Sequence, residues 1–246
     1  MISVKTLKKS FGDIQALKDV SFNFDRGEIA ALLGGNGSGK STSINILTGL
    51  LKADEGDVDI QGIDPFKNPM DARKKIGVFP DKAGLFPNLT VREHLAFFAS
   101  LHGLTGEVLS KAIDDTIHML DMQDIADRQT KGFSHGQSVK VALGRAMVHN
   151  PDYLILDEPS RGLDIYAVRK LRELLLRYRD AGTGILFSSH VMQEVELLSD
   201  RLIIIAEGTI CAEGVPSELK EQSKSETLED AFMFFVEKEA ADVKNN

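Results

Sequence analysis

Two short stretches of this chain hold residues suited to phosphate chemistry. The first is Gly34-Gly35-Asn36-Gly37-Ser38-Gly39-Lys40-Ser41-Thr42, a glycine-rich run closed by a lysine and two hydroxyls in the G-x-x-x-x-G-K-[S/T] spacing. Glycines at that spacing let backbone N–H groups turn inward around phosphate oxygens with no Cβ in the way. Lys40 brings a full charge to the outer phosphates, and the Ser41 hydroxyl is placed to ligate Mg²⁺. The second stretch is Asp157-Glu158, at the end of the apolar run Tyr153–Leu156. Asp157 is expected to hold Mg²⁺, directly or through water, and Glu158 to orient or deprotonate a water attacking a γ-phosphate. A third segment, Ser134-His135-Gly136-Gln137, offers a hydroxyl and a glycine N–H at a helix start, which is a second anion site. One chain with two such helix starts points to a nucleoside triphosphate shared between them.

The elements that must position these groups can be read from periodicity. Ile29–Leu33 is a buried-strand run leading into the glycine-rich loop, and a helix follows it to about Gly49. Tyr153–Leu156 is a second buried strand with its acids at the carboxyl end, where open α/β sheets bind ligands. Ahead of them, Ile2, Val4 and Leu7, then Val20, Phe22 and Phe24, alternate as strands with turns at 11–13 and 25–27, and 56–62 adds a strand and turn. Ile76–Phe79 is a short strand stopped by Pro80. Residues 85–150 change to a helical pattern. Thr90 with Glu93, and Ser134 with Gln137, are capping-box spacings that open helices running to about His102 and Val148, with another helix over Glu107–Leu120 between them. The α/β pattern resumes with a helix over Ile165–Asp180, a strand over Gly184–Ser189, a short helix over Val191–Leu198 and a strand over Leu202–Ile205. A last helix carries Leu228, Ala231, Phe232 and Phe235 on one face.

Composition narrows the function. The chain has 246 residues, 42% of them apolar, and a net charge of −8, so it offers no overall attraction for nucleic acid or anionic lipid. Its single cysteine, Cys211, excludes an internal disulfide and a multi-cysteine metal site and reads as a buried, inert thiol. No apolar segment begins at Met1 as a secretory signal would. No aliphatic run approaches the roughly 20 residues of a membrane helix, so work at a membrane requires a partner.

In order and spacing, Gly34–Thr42, Phe133–Gln137, Leu154–Glu158, Ser160-Arg161-Gly162-Leu163-Asp164 and His190 resemble the Walker A, signature, Walker B, D-loop and switch-histidine elements of ABC transporter ATPase subunits. The resemblance covers nearly the whole chain. It implies a P-loop NTPase (RecA-like) α/β core with an N-terminal antiparallel β subdomain, in an ATPase domain over 1–220 with a helical subdomain inserted at about 85–150, and a helical tail over 221–246. It also implies ATP and Mg²⁺ as ligands. Phe11 would stack on adenine, while Asn36, Gly37, Ser38, Gly39, Lys40, Ser41 and Thr42 would hold phosphates. Ser41, Asp157 and Asp81 would form the metal set. Glu158 and His190 would act on the attacked water, and Ser160, Gly162, Leu163 and Asp164 would form the D-loop. In this family two subunits pair head to tail, so Ser134, His135, Gly136 and Gln137 would reach the nucleotide held by the partner.

Two positions depart from the family pattern: Asp81 stands where Gln is usual, and His135 where many members have Gly. An ionised Asp accepts hydrogen bonds but cannot donate one, which bears on coupling through this loop. The stretches 132–143 and 187–195, and the terminal Leu228–Phe232, resemble the ABC-2-type exporters with separately encoded membrane subunits, bacterial sodium-extrusion ATPases above all. That placement implies a cytoplasmic subunit peripheral to the inner face of the membrane. A groove beside Asp81–Leu104, with Phe86, Phe97 and Phe98, would receive a helix of the membrane subunit; the same aromatics also suit the core of the helical insertion. A low-turnover, nucleotide-gated regulatory or assembly module, or the ATPase of a drug or lipid exporter, are the alternatives. Chromosome-structuring relatives separate these motifs with long coiled coils, for which the interval from Lys40 to Ser134 leaves no room.

Overall fold

The computed structural model describes residues 1–81 and 84–244, with side chains described to residue 241. The last residues of the expected tail, and part of the segment after Asp81, lie outside the described residues. In chain order the elements are β1 (Ile2–Phe11), β2 (Ile14–Phe24), β3 (Ile29–Leu33), α1 (Lys40–Leu47), β4 (Glu55–Ile60), α2 (Pro69–Lys75), β5 (Ile76–Phe79), α3 (Val91–Leu101), α4 (Gly106–Met119) and α5 (His135–Met147). They continue as β6 (Tyr153–Asp157), α6 (Ile165–Asp180), β7 (Gly184–Ser189), α7 (Met192–Leu198), β8 (Arg201–Ala206), β9 (Thr209–Gly214), α8 (Pro216–Ser223) and α9 (Leu228–Lys244).

The nine strands form one sheet in the order β4-β1-β2-β9-β8-β3-β7-β6-β5. From β8 to β5 the neighbours run parallel, while β4-β1-β2 is an antiparallel arm joined to β9 at Asp19–Thr209. The parallel strands are apolar along most of their length because both faces are covered, with polar residues only towards their ends, such as Asp157, Ser188, Ser189 and Arg201. On β3, Ala30 and Leu32 join a core with Ile44, Ile46 and Leu47 of α1, while Ile29, Ala31 and Leu33 join a second core with α5, α6 and α7. Tyr153 and Ile155 part from Leu154 and Leu156 on β6 in the same way, as the two-residue side-chain period of a strand requires. Switching faces between consecutive residues pins the register, and with it the loops that leave the strand ends.

Between β5 and β6 the described residues carry three helices, α3, α4 and α5. Both expected capping boxes are present: Thr90 and Ser134 each accept from the backbone of the residue three on, and Glu93 and Gln137 accept in return. The aromatics of this region are not core. Phe86 and Phe97 are 49% and 45% exposed, and with Phe98 they pack edge-on or stacked on each other at the surface. Their alternative reading as core fails because α3 turns Val91, Leu95 and Ala99 inward instead.

Three elements had no sequence-level counterpart. These are α2, whose one buried residue is Ala72, α8, and β9, which carries Cys211. Burial pushes the Cys211 thiol up to about 11, leaving it protonated and unreactive at neutral pH. Helix α9 lays Leu228, Ala231 and Phe235 inward, with Phe232 half-buried beside them.

Candidate functional site

The glycine-rich loop leaves β3 at the centre of the sheet, between β8 and β7, and enters α1 at Lys40. Two of its glycines are dictated by space. A Cβ on Gly34 would lie 2.3 Å from the Ile205 carbonyl oxygen. Gly39 has φ +109 and is pressed against Leu17, so an L side chain there is both strained and crowded. The loop is therefore clamped to β8 and β2, and its residues border an open cleft of about 460 Å³. Asn36, Gly37, Ser38, Gly39, Lys40, Ser41 and Thr42 line that cleft, and Phe11, half-exposed at the end of β1, forms its rim. Lys9 approaches the Phe11 ring at 5.6 Å.

Lys40 is buried, and its Nζ donates to the carbonyls of Gly34 and Gly35 at 2.6 and 3.0 Å. Burial holds its pKa below the ordinary lysine value, while the carboxylates of Glu158 and Asp157 pull the other way. A polyphosphate in the cleft would offer Lys40 stronger acceptors than two neutral carbonyls. The buried Ser38 Oγ has no hydrogen-bond partner, another polar atom that a ligand in this cleft would satisfy.

At the carboxyl end of β6 the two acids are held apart in function. Asp157 is buried and accepts from Ser188 Oγ at 2.6 Å, while the same Oγ accepts from the Glu158 N–H at 2.9 Å. Glu158 sits in the left-handed region with φ 53, a conformation costing an ordinary residue about 1–3 kcal/mol and common where function fixes a side chain. This turn swings its carboxylate out to His190, whose Nδ1 lies 2.8 Å from Glu158 Oε2. Ser188 is therefore a positioning residue that sequence reasoning passed over. The available signal was a hydroxyl directly after the apolar run Ile185–Phe187, within the wholly buried strand β7.

The start of α5 lies elsewhere. Ser134 and Gln137 cap the helix, and Ser134 Oγ accepts from the Gln137 N–H at 3.3 Å. No described residue of α5 lines the cleft of the glycine-rich loop. His135 instead shares a smaller cleft with Asp81, Glu158, Arg161 and Gly162, and Gly136 faces the groove between α5 and α6. Asp81 is ion-paired with Arg161 at 2.8 Å. Asp164 caps α6 by accepting from the Ala167 N–H at 2.8 Å, Leu163 packs on the core, and Ser160 donates to Glu194 of α7. Arg161 and Glu194 carry no local sequence signal, since their partners lie 80 and 34 residues away.

The donor set suits Mg²⁺. Among the described residues no cluster of three His, Cys, Asp or Glu exists; Ser41 and Asp157 are the oxygen donors that would supply one or two ligands, with phosphate and water as the rest, as Mg²⁺ prefers. Bound there, the ion neutralises charge on the phosphates. The chain's own residues suit the two remaining tasks: the glycine-rich loop and Lys40 would cradle phosphates, and Glu158 with His190 at 2.8 Å would face an attacking water.

Residues 17–161 match the family model described as ABC transporter. The chain is 36% identical to the ABC transporter ATP-binding protein NatA of Bacillus subtilis (strain 168), covering 95% of this chain and 97% of that one. It is 32% identical to the linearmycin resistance ATP-binding protein LnrL of the same organism, over 93% and 73% of the two chains. Among solved structures, an ATP-binding subunit of an ABC transporter superposes with TM-score 0.88 at 29% identity over 96% of this chain and 99% of that one. A dimeric cassette, MJ0796, bound to ADP and Pi in a post-hydrolysis state superposes with TM-score 0.79 at 28% identity over 87% and 98%. With a phosphate cradle, a carboxylate edge and these relatives, the chain belongs to the ABC transporter ATP-binding family and is an ATPase that binds ATP with Mg²⁺.

Proposed function

We propose that this chain powers an exporter through a separately encoded membrane subunit, and that Na⁺ is the exported species. The observation carrying the export reading is the exposed aromatic patch beside Asp81. Phe86 and Phe97 stand exposed near α3, with half-buried Phe98 beside them and Arg145 over the Phe98 ring at 4.0 Å. A patch of this kind on a nucleotide-driven subdomain suits the apolar face of a partner helix. None of the described helices is long and apolar enough to cross a membrane, which favours a partner as the route for the cargo and a working place on the cytoplasmic face. The resemblance of 132–143, 187–195 and 228–232 to sodium-extrusion ATPases supports sodium; likeness to the linearmycin resistance protein LnrL favours a drug as the second reading.

In this reading two copies, or this chain and a close relative, pair head to tail. Phe11 stacks on adenine, and 36–42 hold the phosphates. Ser134, His135, Gly136 and Gln137 close on the partner's nucleotide, while Ser160, Gly162, Leu163 and Asp164 lie along the junction. Glu158 positions water with help from His190, and Ser41 and Asp157 hold the metal, while Asp81, the third residue expected in the metal set, is engaged by Arg161 at 2.8 Å. The separation of α5 from the glycine-rich cleft within one copy supports pairing.

The test is co-purification of the membrane subunit followed by transport in sealed vesicles. ATP-dependent Na⁺ movement that is lost in Glu158→Gln is the expected result. ATP-driven drug efflux without Na⁺ movement would replace sodium with the second reading. Equal, negligible hydrolysis by wild type and Glu158→Gln, with the membrane subunit present, would leave only a nucleotide-gated module.

A further inference from the structure

Three polar links meet at Arg161. Its Nη1 donates to Asp81 Oδ1 at 2.8 Å across 80 residues of sequence. Its carbonyl oxygen lies 2.8 Å from His135 Nε2, and its N–H donates to the Glu158 carbonyl at 3.2 Å. One residue thus joins the chain leaving β5, the first residue of α5 and the carboxyl end of β6. Asp81, His135, Glu158 and Arg161 line a single cleft of about 390 Å³. Asp81 and His135 are also the two positions at which the sequence departs from the family pattern, and the structure brings both to the same arginine.

We infer that Arg161 is a positioning residue of the hydrolytic site. It holds the segment after β5 and the start of α5 in one placement against the turn carrying Glu158. The inference rests on Glu158 serving ATP hydrolysis as proposed above. Asp81 suits this part because an ionised carboxylate accepts from a guanidinium, whereas a neutral amide would offer the same acceptor without the charge. His135 suits it because its ring reaches the Arg161 carbonyl, which a glycine at that position could not. Asp81, so held, serves Arg161 rather than the metal. The Arg161 side chain is 64% exposed, and a link so open to water is weak enough to be remade during each closing and opening.

The test uses the full chain with Arg161→Ala, Asp81→Asn and the exchanged pair Asp81→Arg with Arg161→Asp. Readouts are steady-state kcat and KM for MgATP and the thermal midpoint. Each single variant is expected to lose about twofold to fivefold in kcat, with KM within about twofold of wild type and an unchanged midpoint. The exchanged pair is expected to recover most of the loss. Single variants with wild-type kcat, or a raised KM at unchanged kcat, would overturn the inference. Should a midpoint fall together with kcat, the exchanged pair decides: recovery supports the link, and a loss equal to the product of the singles sinks it. If wild type hydrolyses no faster than Glu158→Gln, the reading of Glu158 fails first. An active wild type with unaffected Arg161 variants removes the positioning role alone.

Discussion

The two places proposed to meet phosphate are built in opposite ways. The glycine-rich loop and the Asp157-Glu158 turn hang from buried parallel strands and are fixed by close packing and buried hydrogen bonds: Gly34 against Ile205, Lys40 on two carbonyls, Ser188 between the acids. The start of α5 stands at the surface, held by its own capping box and by side-chain links through Arg161. Dense packing gives one arrangement and resists change; exposed polar links are individually weak and exchange readily with water. The contrast assigns chemistry to the first place and movement to the second.

The sharpest way to break that contrast is Glu158→Gln. On the fixed edge it should cost roughly 10²- to 10⁴-fold in turnover while leaving MgATP affinity intact, read by steady-state hydrolysis and equilibrium nucleotide binding. Retention of a large share of the rate would remove Glu158 from its role. A second comparison pairs two glycines. Gly34→Ala drives a Cβ into the Ile205 backbone and should destabilise by about 1–3 kcal/mol in denaturant unfolding. Gly136→Ala, with nothing within 4 Å of the new Cβ, should stay within about 0.5 kcal/mol of wild type. Equal losses at both would erase the difference between packed and open glycines.

Helix α5 joins the two regimes, and its buried end can be read by pH. His149 stacks on His102 with ring centroids 3.5 Å apart, and burial with the neighbouring ring lowers its pKa to about 4. The unfolded chain takes up that proton near 6.5, so the neutral form favours the fold. The stabilisation is complete above pH 6.5 and is lost as pH falls toward 4, by on the order of 3 kcal/mol. His149→Gln should show a shallower fall over that window in parallel unfolding curves; identical slopes would contradict the assignment. Apart from the near-neutral Gly136→Ala control, the smallest effect is expected at Ser188→Ala, about 1 kcal/mol of stability with a reduced kcat, because the Glu158 N–H and Asp157 lose their shared partner. An unchanged kcat would make Ser188 a packing residue only.

Much of this was legible because the signals are local. The loop between β3 and α1, the acids closing β6 and both capping boxes are short-range patterns whose meaning does not depend on distant residues. Helix α2 was missed because seven residues with only Ala72 buried carry no apolar period; its signals were Pro69 at the first turn and the terminal Arg73-Lys74-Lys75 run. Strand β9 was missed because none of its residues is fully buried, so it shows no clear alternation. Phe97 and Phe98 invited a core reading by composition, and only the rotation of α3 decides which face it buries. The link from Asp81 to Arg161 joins segments far apart in sequence, which no local pattern encodes.

The central claim is that the fixed and movable places belong to one site only when two chains face each other. Sedimentation of Glu158→Gln, without nucleotide and with saturating MgATP, tests it directly. The account predicts a monomer that becomes a dimer with ATP and reverts when ATP is removed. A monomer that binds MgATP tightly yet never pairs, alone or with its co-purified relative, would contradict it.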